Sequence, residues 1–328
     1  MEESLLKVNS LEAGYETQKG NIVAVNNVSF NLKKGEFLGV AGESGCGKST
    51  LAYSIMRLLE DNGHIFSGEI IYKNKDLVRM GKNEVKKTRW SEISMVFQSA
   101  MNALNPVLSI KAQLLDVMKA HSDSFDKSEA VKKAKNLLEL VNINPERLND
   151  YPHQLSGGMK QRIIIAMAMA LDPEIIILDE PTTALDVVVQ RNIIEQIDGL
   201  SEKFGFSIIF ITHDLSLLVE ITDRLAIMYA GKIVELGKAK EIYQNPLHPY
   251  TKGLMNSFPP LTGEIEISSG IPGKPPDFLS LPPGCNFQSR CDYSMDKCKN
   301  EEPELSNCKG EERFVSCYWV EEECCDDG

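Results

Sequence analysis

The chain has 328 residues, 42% of them hydrophobic and 25% charged, which is enough to bury a core and to form two domains and excludes large-scale disorder. A net charge of −12 disfavours a nucleic-acid partner, which would need a clustered positive face to neutralise phosphates. The longest apolar stretch, Ile163 to Leu171, falls far short of the roughly 20 residues that span a bilayer, and Met1-Glu2-Glu3-Ser4 lacks the features of a signal peptide; membrane association is expected only through other subunits.

From the N-terminus, Val23-Ala24-Val25-Asn26-Asn27-Val28-Ser29-Phe30 alternates roughly apolar with polar and predicts a strand, Gly35-Glu36 a turn, and Phe37 to Ala41 a short buried strand. That strand runs into Gly42-Glu43-Ser44-Gly45-Cys46-Gly47-Lys48-Ser49. From Lys48 to Leu59 the apolar residues Leu51, Ala52, Ile55, Leu58 and Leu59 have helical spacing. Strand, glycine loop and helix together predict a phosphate cradle in which backbone N–H groups of Gly45 to Ser49 converge at a helix N-terminus, as in nucleoside triphosphatases. Lys48 would lie between the β- and γ-phosphates, the Ser49 hydroxyl would coordinate Mg²⁺, and Thr50 would help hold the α-phosphate. Cys46, inside the loop, is expected to favour its thiolate and to be shielded from alkylation by MgATP.

Residues 100 to 171 read as helical, with Asp126 and Glu129 as a capping pair ahead of Ala130 to Val141, and predict a helical subdomain inserted into an α/β core. Its last helix opens at Leu155-Ser156-Gly157-Gly158-Met159. The exposed N–H groups there form a second phosphate grip, best used on the ATP of a partner molecule because this chain already has its own. Buried-strand patterns return at Ile175 to Leu178 and Ser207 to Ile211, which implies a mostly parallel sheet covered by helices. Asp179 ends the first of these at the carboxyl edge of the sheet, where Mg²⁺ would be held through water, and Glu180 follows it. His213 follows the second. Gly231 and Gly237 flank a last strand pair. Beyond residue 245 prolines crowd the chain and predict an irregular, extended segment; seven of the eight cysteines fall between 285 and 328, and the acidic residues 321–328 read as a frayed tail.

These segments, in this order, resemble the ATP-binding cassette family of transport ATPases over roughly residues 5 to 260. The resemblance implies an α/β fold: residues 1–245 as a cassette-type nucleotide-binding domain, with a mostly parallel P-loop sheet, an antiparallel β part and the helical subdomain at about 100–171, and residues 246–328 as a small irregular C-terminal domain. It also implies roles. Glu180 is the general base that polarises the attacking water, Gln98 touches Mg²⁺ and water, and His213 hydrogen-bonds the γ-phosphate. Ser44, Gly45, Cys46, Gly47, Lys48, Ser49 and Thr50 bind ATP, with Tyr15 stacked on adenine. Ser156, Gly157 and Gly158 act across a dimer, and Asp186, in Thr182-Thr183-Ala184-Leu185-Asp186, lies in the loop connecting the two sites. Met159 departs from the Gln most common in the family.

His248-Pro249-Tyr250-Thr251-Lys252-Gly253-Leu254 and Pro282-Pro283-Gly284-Cys285-Asn286-Phe287-Gln288-Ser289-Arg290-Cys291 resemble the C-terminal extension of ATPase subunits from dipeptide and oligopeptide importers, and Met159-Lys160-Gln161-Arg162 is typical of that branch. The branch also includes nickel and glutathione importers. It implies an ATP-hydrolysing subunit on the cytoplasmic face of the membrane, paired with a homologous second ATPase, two integral membrane permease subunits and, indirectly, an extracellular or periplasmic substrate-binding protein. A soluble cassette ATPase of DNA repair or translation would usually carry two cassettes and a basic face. Disulfides are not expected without a secretion signal, and the Cys-x-x-Cys pair usual for structural zinc is missing. Cys285, Cys291, Cys298 and Cys317, with no His near them in the segment, suit an iron–sulfur cluster, and members of the branch with this pattern carry a [4Fe–4S] cluster. Cys308 could substitute for Cys317, while Cys324 and Cys325 look dispensable. Replacing Cys291 is expected to loosen the C-terminal domain and leave ATP binding intact.

Overall fold

The computed structural model describes residues 4–98, 100–122, 124–182, 186–257, 270–308 and 312–325. The described residues form two compact units: those within 33–36 and 79–210 make one, and those within 2–32, 37–78 and 211–328 make the other.

In the first unit, Ile93–Val96 and Ile175–Asp179 pair in parallel, with Ile93 opposite Ile175 and Val96 opposite Leu178. Ser207–Thr212 borders Ile175–Asp179 on the other side. Every residue of these three strands is buried, the pattern of a sheet covered on both faces. The helices Ile110–Ala120, Lys127–Leu140, Gly157–Ala168 and Val187–Phe204 supply the helical region read from the sequence. Each starts where a short polar side chain satisfies an otherwise orphaned N–H: Ser109, Asp126, Ser156 and Asp186 all accept from the first turn.

The second unit holds two sheets. In one, Ser4–Thr17 pairs antiparallel with Gly63–Tyr72, Gly20–Lys33 lies on its far side, and Lys75–Asp76 closes the other edge. In the other, Phe37–Ala41 runs parallel to Arg224–Tyr229, with Leu38 opposite Arg224. Arg224–Tyr229 then pairs antiparallel with Lys232–Lys238, and that strand with Phe314–Val315, Glu235 facing Val315. Pairing is thus parallel at Ile93–Val96 with Ile175–Asp179 and at Phe37–Ala41 with Arg224–Tyr229, and antiparallel in the first sheet of this unit and at the outer strands, which fits a parallel P-loop core with an antiparallel β part.

Three departures from the sequence reading have local causes. The helix after the glycine loop stops at Ile55, because Arg57 takes a left-handed φ of 53° and turns the chain before Leu58 and Leu59. The proline-rich stretch contains a helix, Pro249–Asn256. Proline at the first helical position gives up no needed N–H, and His248 Nδ1 accepts from Tyr250 N–H at 3.0 Å to cap it. The tail is helical from Tyr318 to Cys325, while Asp326–Gly328 lie outside the described residues.

Candidate functional site

The glycine loop is shaped by its backbone. Gly42, Gly45 and Gly47 have φ of 154°, 79° and 106°. A Cβ on Gly47 would stand 2.0 Å from the Ala24 carbonyl oxygen, and one on Gly42 2.2 Å from that of Met228, so neither position admits a side chain. The Gly231 N–H donates to the Cys46 carbonyl at 2.9 Å, fixing the loop from below. Gly47 caps the helix Lys48–Ile55 without a side-chain acceptor, which leaves the first-turn donors directed at the loop's concavity. Lys48 is buried and donates from Nζ to the carbonyls of Gly42 at 2.8 Å and Glu43 at 3.0 Å, which holds its charge against the loop. Ser44 and Gly45 are exposed, and Ser49 is half-buried.

Cys46 corrects an expectation. Its side chain is buried, and burial pushes the thiol's pKa up despite the opposing pull of Lys48, whose Nζ lies 3.8 Å from Sγ. The thiolate is disfavoured, not favoured.

Tyr15 lies on the strand Ser4–Thr17 opposite Gly63, with its hydroxyl 3.4 Å from Thr50 Oγ1, so the ring flanks the start of the loop helix. His213 is exposed between the end of the buried strand Ser207–Thr212 and Asp214, which caps the helix Leu215–Ile221.

In the first unit, Asp179 is fully buried at the end of its strand. Glu180 follows in a left-handed conformation, φ 45°, a strained geometry for a residue with a side chain. Gln98 Nε2 donates to its Oε2 at 2.8 Å, so these two sequence-predicted residues meet. Ser156 caps the helix Gly157–Ala168 by accepting from Met159 N–H at 3.3 Å, and Ser156 and Gly157 are exposed. A Cβ on Gly158 would stand 2.9 Å from Val189 Cγ1, so the valine side chain would have to shift to admit one. Asp186 caps Val187–Phe204, accepting from Val189 N–H at 3.0 Å; Thr183, Ala184 and Leu185 lie outside the described residues.

Cys285, Cys291, Cys298 and Cys317 carry free thiols and line one cavity with His248, Phe287, Tyr293 and Trp319. Burial pushes the Cys285 thiol up to about 12 and that of Cys317 to about 11. Cys308 is disulfide-bonded, against the expectation of a fully reduced set, and so is withdrawn as a substitute for Cys317. The side chains of Cys324 and Cys325 lie outside the described residues. Among the described residues no three His, Cys, Asp or Glu side chains are grouped to hold a metal ion, so the expected iron–sulfur domain has no formed metal centre there.

Glu43, Tyr250 and Arg290 stand inside the sequence motifs, which give them no role of their own. Arg290 grips the Glu43 carboxylate with two hydrogen bonds, Nη1 to Oε2 at 2.8 Å and Nη2 to Oε1 at 3.0 Å. The Glu43 N–H donates to the Tyr250 hydroxyl at 2.9 Å. The ion-pair partners are 247 positions apart in the chain, so no local pattern could have signalled it.

A glycine loop between a buried strand and a helix, with its lysine turned into the loop, defines a P-loop nucleoside triphosphatase. Comparison with known proteins makes the class specific. The ABC transporter family model matches residues 25–183, and that of the oligopeptide/dipeptide transporter C-terminal region matches 234–298. The dipeptide transport ATP-binding protein DppD of Caldanaerobacter subterraneus is 41% identical over 97% of this chain and 98% of its own length. The oligopeptide transport ATP-binding protein OppD of Escherichia coli is 42% identical over 98% of this chain and 95% of its own. A solved dimeric ATP-binding cassette in a post-hydrolysis state with ADP and Pi is 30% identical, with a TM-score of 0.64 over 71% of this chain and 98% of that one. This chain belongs to the ABC transporter family, in its branch of ATP-hydrolysing dipeptide and oligopeptide transport ATP-binding proteins.

Proposed function

We propose that this chain hydrolyses ATP to energise the import of dipeptides or oligopeptides, acting at the cytoplasmic face of a membrane with a homologous second ATPase, two permease subunits and an external substrate-binding protein. The peptide assignment is supported by the match of residues 234–298 to the oligopeptide/dipeptide transporter C-terminal region. A peripheral position agrees with the lack, among the described residues, of any helix long and apolar enough to cross a membrane. The domain reading that accompanies it is a nucleotide-binding domain over 1–245 and a C-terminal domain over 246–328.

The roles follow the family. Backbone donors of Ser44 to Ser49 and Lys48 Nζ hold the phosphates, Thr50 the α-phosphate, and Tyr15 the adenine. Ser49, Gln98 and Asp179 hold Mg²⁺, which supplies charge neutralisation at the phosphates. Glu180 orients and polarises the attacking water, His213 bonds the γ-phosphate, and Ser156, Gly157, Gly158 and Asp186 serve the partner's site. The observation that carries this is Glu180, left-handed at φ 45° directly after the buried strand, with its carboxylate accepting from Gln98 Nε2 at 2.8 Å. A structural surface acid would need neither strain nor a fixed rotamer. In the assembled transporter, Glu180→Gln is expected to bind ATP while turnover falls at least about a hundredfold; near-normal turnover would sink the assignment. Uptake of labelled dipeptide, with nickel as the competitor cargo, tests the substrate class in reconstituted complexes.

The finer reading of the C-terminal segment is a [4Fe–4S] cluster on Cys285, Cys291, Cys298 and Cys317. What supports it is that the four thiols are free and line one cavity, with no His beside them in sequence. Its role would be structural, pinning a segment with little regular backbone. Anaerobically purified protein should be brown, with about four iron and four sulfide per chain. Colourless protein with stoichiometric zinc would refute it.

A further inference from the structure

The C-terminal segment reaches the glycine loop by two routes, both ending on Glu43. The first is ionic. Arg290, next to Cys291, is nearly fully buried at its side chain, 4% exposed, and clamps the Glu43 carboxylate in the two-bond geometry of a guanidinium–carboxylate fork. Its orientation is itself fixed, because Nε donates to the Pro272 carbonyl at 2.8 Å and Nη1 to the Tyr229 hydroxyl at 3.3 Å. The second route is aromatic. Phe287, between Cys285 and Cys291, packs on Tyr250 and Tyr229 at ring separations of 5.5 and 5.2 Å, and the Tyr250 hydroxyl accepts the Glu43 N–H at 2.9 Å. Glu43 in turn carries one of the two carbonyls that hold Lys48 Nζ, at 3.0 Å. A surface ornament on a loop would not engage backbone, carboxylate and carbonyl of a single residue in one chain of contacts.

We infer that Arg290 and Tyr250 are positioning residues for the phosphate loop, through which the packing of the cysteine-lined segment sets the affinity for MgATP. The inference rests on residues 42–50 being the ATP loop and adds a contributor the loop's own sequence does not contain. It reverses the expectation that disturbing Cys291 leaves ATP binding intact, because the residue beside it holds Glu43.

The test is steady-state ATP hydrolysis by the assembled transporter. Arg290→Met and Glu43→Gln are each expected to raise KM for MgATP about tenfold, the scale of one charge-assisted hydrogen bond, with kcat within about twofold. Arg290→Lys should fall between, since an ammonium cannot make the fork. The double variant Arg290→Met with Glu43→Gln should be no worse than Arg290→Met alone, because both remove the same link. Cys291→Ser should shift KM in the same direction. If Arg290→Met does not fold, Glu43→Gln, isosteric on a half-buried loop residue, carries the test by itself. A fall in kcat or in thermal midpoint with KM unchanged, or fully additive effects in the double variant, would overturn the inference. Lys48→Ala separates the two readings: loss of nucleotide binding there with unaltered KM in Glu43→Gln sinks the positioning role alone, whereas retained binding in Lys48→Ala takes the loop assignment down with it.

Discussion

The phosphate loop and the cysteine-lined segment belong to the same compact unit and are built by opposite means. Residues 42–50 take their shape from backbone: a fully buried strand leading in, three glycines at positive φ, and carbonyls packed where a Cβ on Gly42 or Gly47 would have to go. Among the described residues from 270 to 325 there is little regular backbone: the turn Gln288–Arg290, the short helix Asp296–Asn300, two-residue strands and a last helix. Its order comes from individual side chains: four thiols, the Arg290 fork, the Phe287 cluster and a buried ion pair. A backbone-made site should fail at a few glycine positions and tolerate change elsewhere. A side-chain-made segment should fail wherever one anchoring contact is removed.

The largest test of that contrast is the ion pair. Arg313 Nη2 lies 2.5 Å from Glu235 Oε1 with the two side chains 4% and 0% exposed, and it also donates to the Asn245 carbonyl at 2.9 Å. Glu235 then accepts the N–H groups of Leu247 and His248 at 2.9 and 3.1 Å, tying the start of the helix Pro249–Asn256 to the strand Lys232–Lys238. Arg313→Met strands a buried carboxylate and should cost about 3–5 kcal/mol in denaturant unfolding. A loss below about 1 kcal/mol, the level of a surface pair, would mean that side-chain anchoring does not hold this segment. In the loop, Gly47→Ala should weaken ATP binding on the order of a hundredfold, since a left-handed residue and a 2.0 Å overlap with Ala24 must both be relieved. Gly45→Ala meets nothing within 4 Å and should cost only the left-handed term, about tenfold or less. Equal effects at the two glycines would break the argument from packing.

The same contrast governs what could be read from the sequence. The strand Phe37–Ala41, the loop and the caps at Asp126 and Ser156 were legible because local spacing dictates them. Glu180 was legible as a position after an apolar strand, but its left-handed φ was not, and neither was its hydrogen bond to Gln98, 82 positions away along the chain. The helix Pro249–Asn256 was hidden by proline content that a helix accepts at its first position. Arg290 and Glu43 were invisible for the reason that makes them informative, their separation along the chain.

Acid sharpens the picture further. His248 is buried, caps its helix through Nδ1, and has its pKa lowered from 6.5 to about 3 by burial. The folded chain therefore stays unprotonated where the unfolded chain takes up a proton. Stability from this group is whole above pH 6.5 and is lost as pH falls toward 3, by up to about 1.4 kcal/mol per pH unit. His248→Gln should flatten that part of the pH profile of unfolding, and an unchanged slope would remove the assignment.

The smallest expected effect concerns Cys46, where the two building methods meet in one residue. Its position is set by the loop, yet its reactivity is set by surroundings made of side chains. Burial disfavours the thiolate, Lys48 at 3.8 Å favours it, and burial is the larger cause, so the thiol pKa ends up raised. Alkylation by a small haloacetamide should therefore be several-fold slower than that of an unstructured cysteine at neutral pH, since the thiolate is the nucleophile. Lys48→Ala should slow it further, because the one cation opposing burial is removed. Faster labelling in Lys48→Ala would show that Lys48 acts there by covering the sulfur, not by its charge.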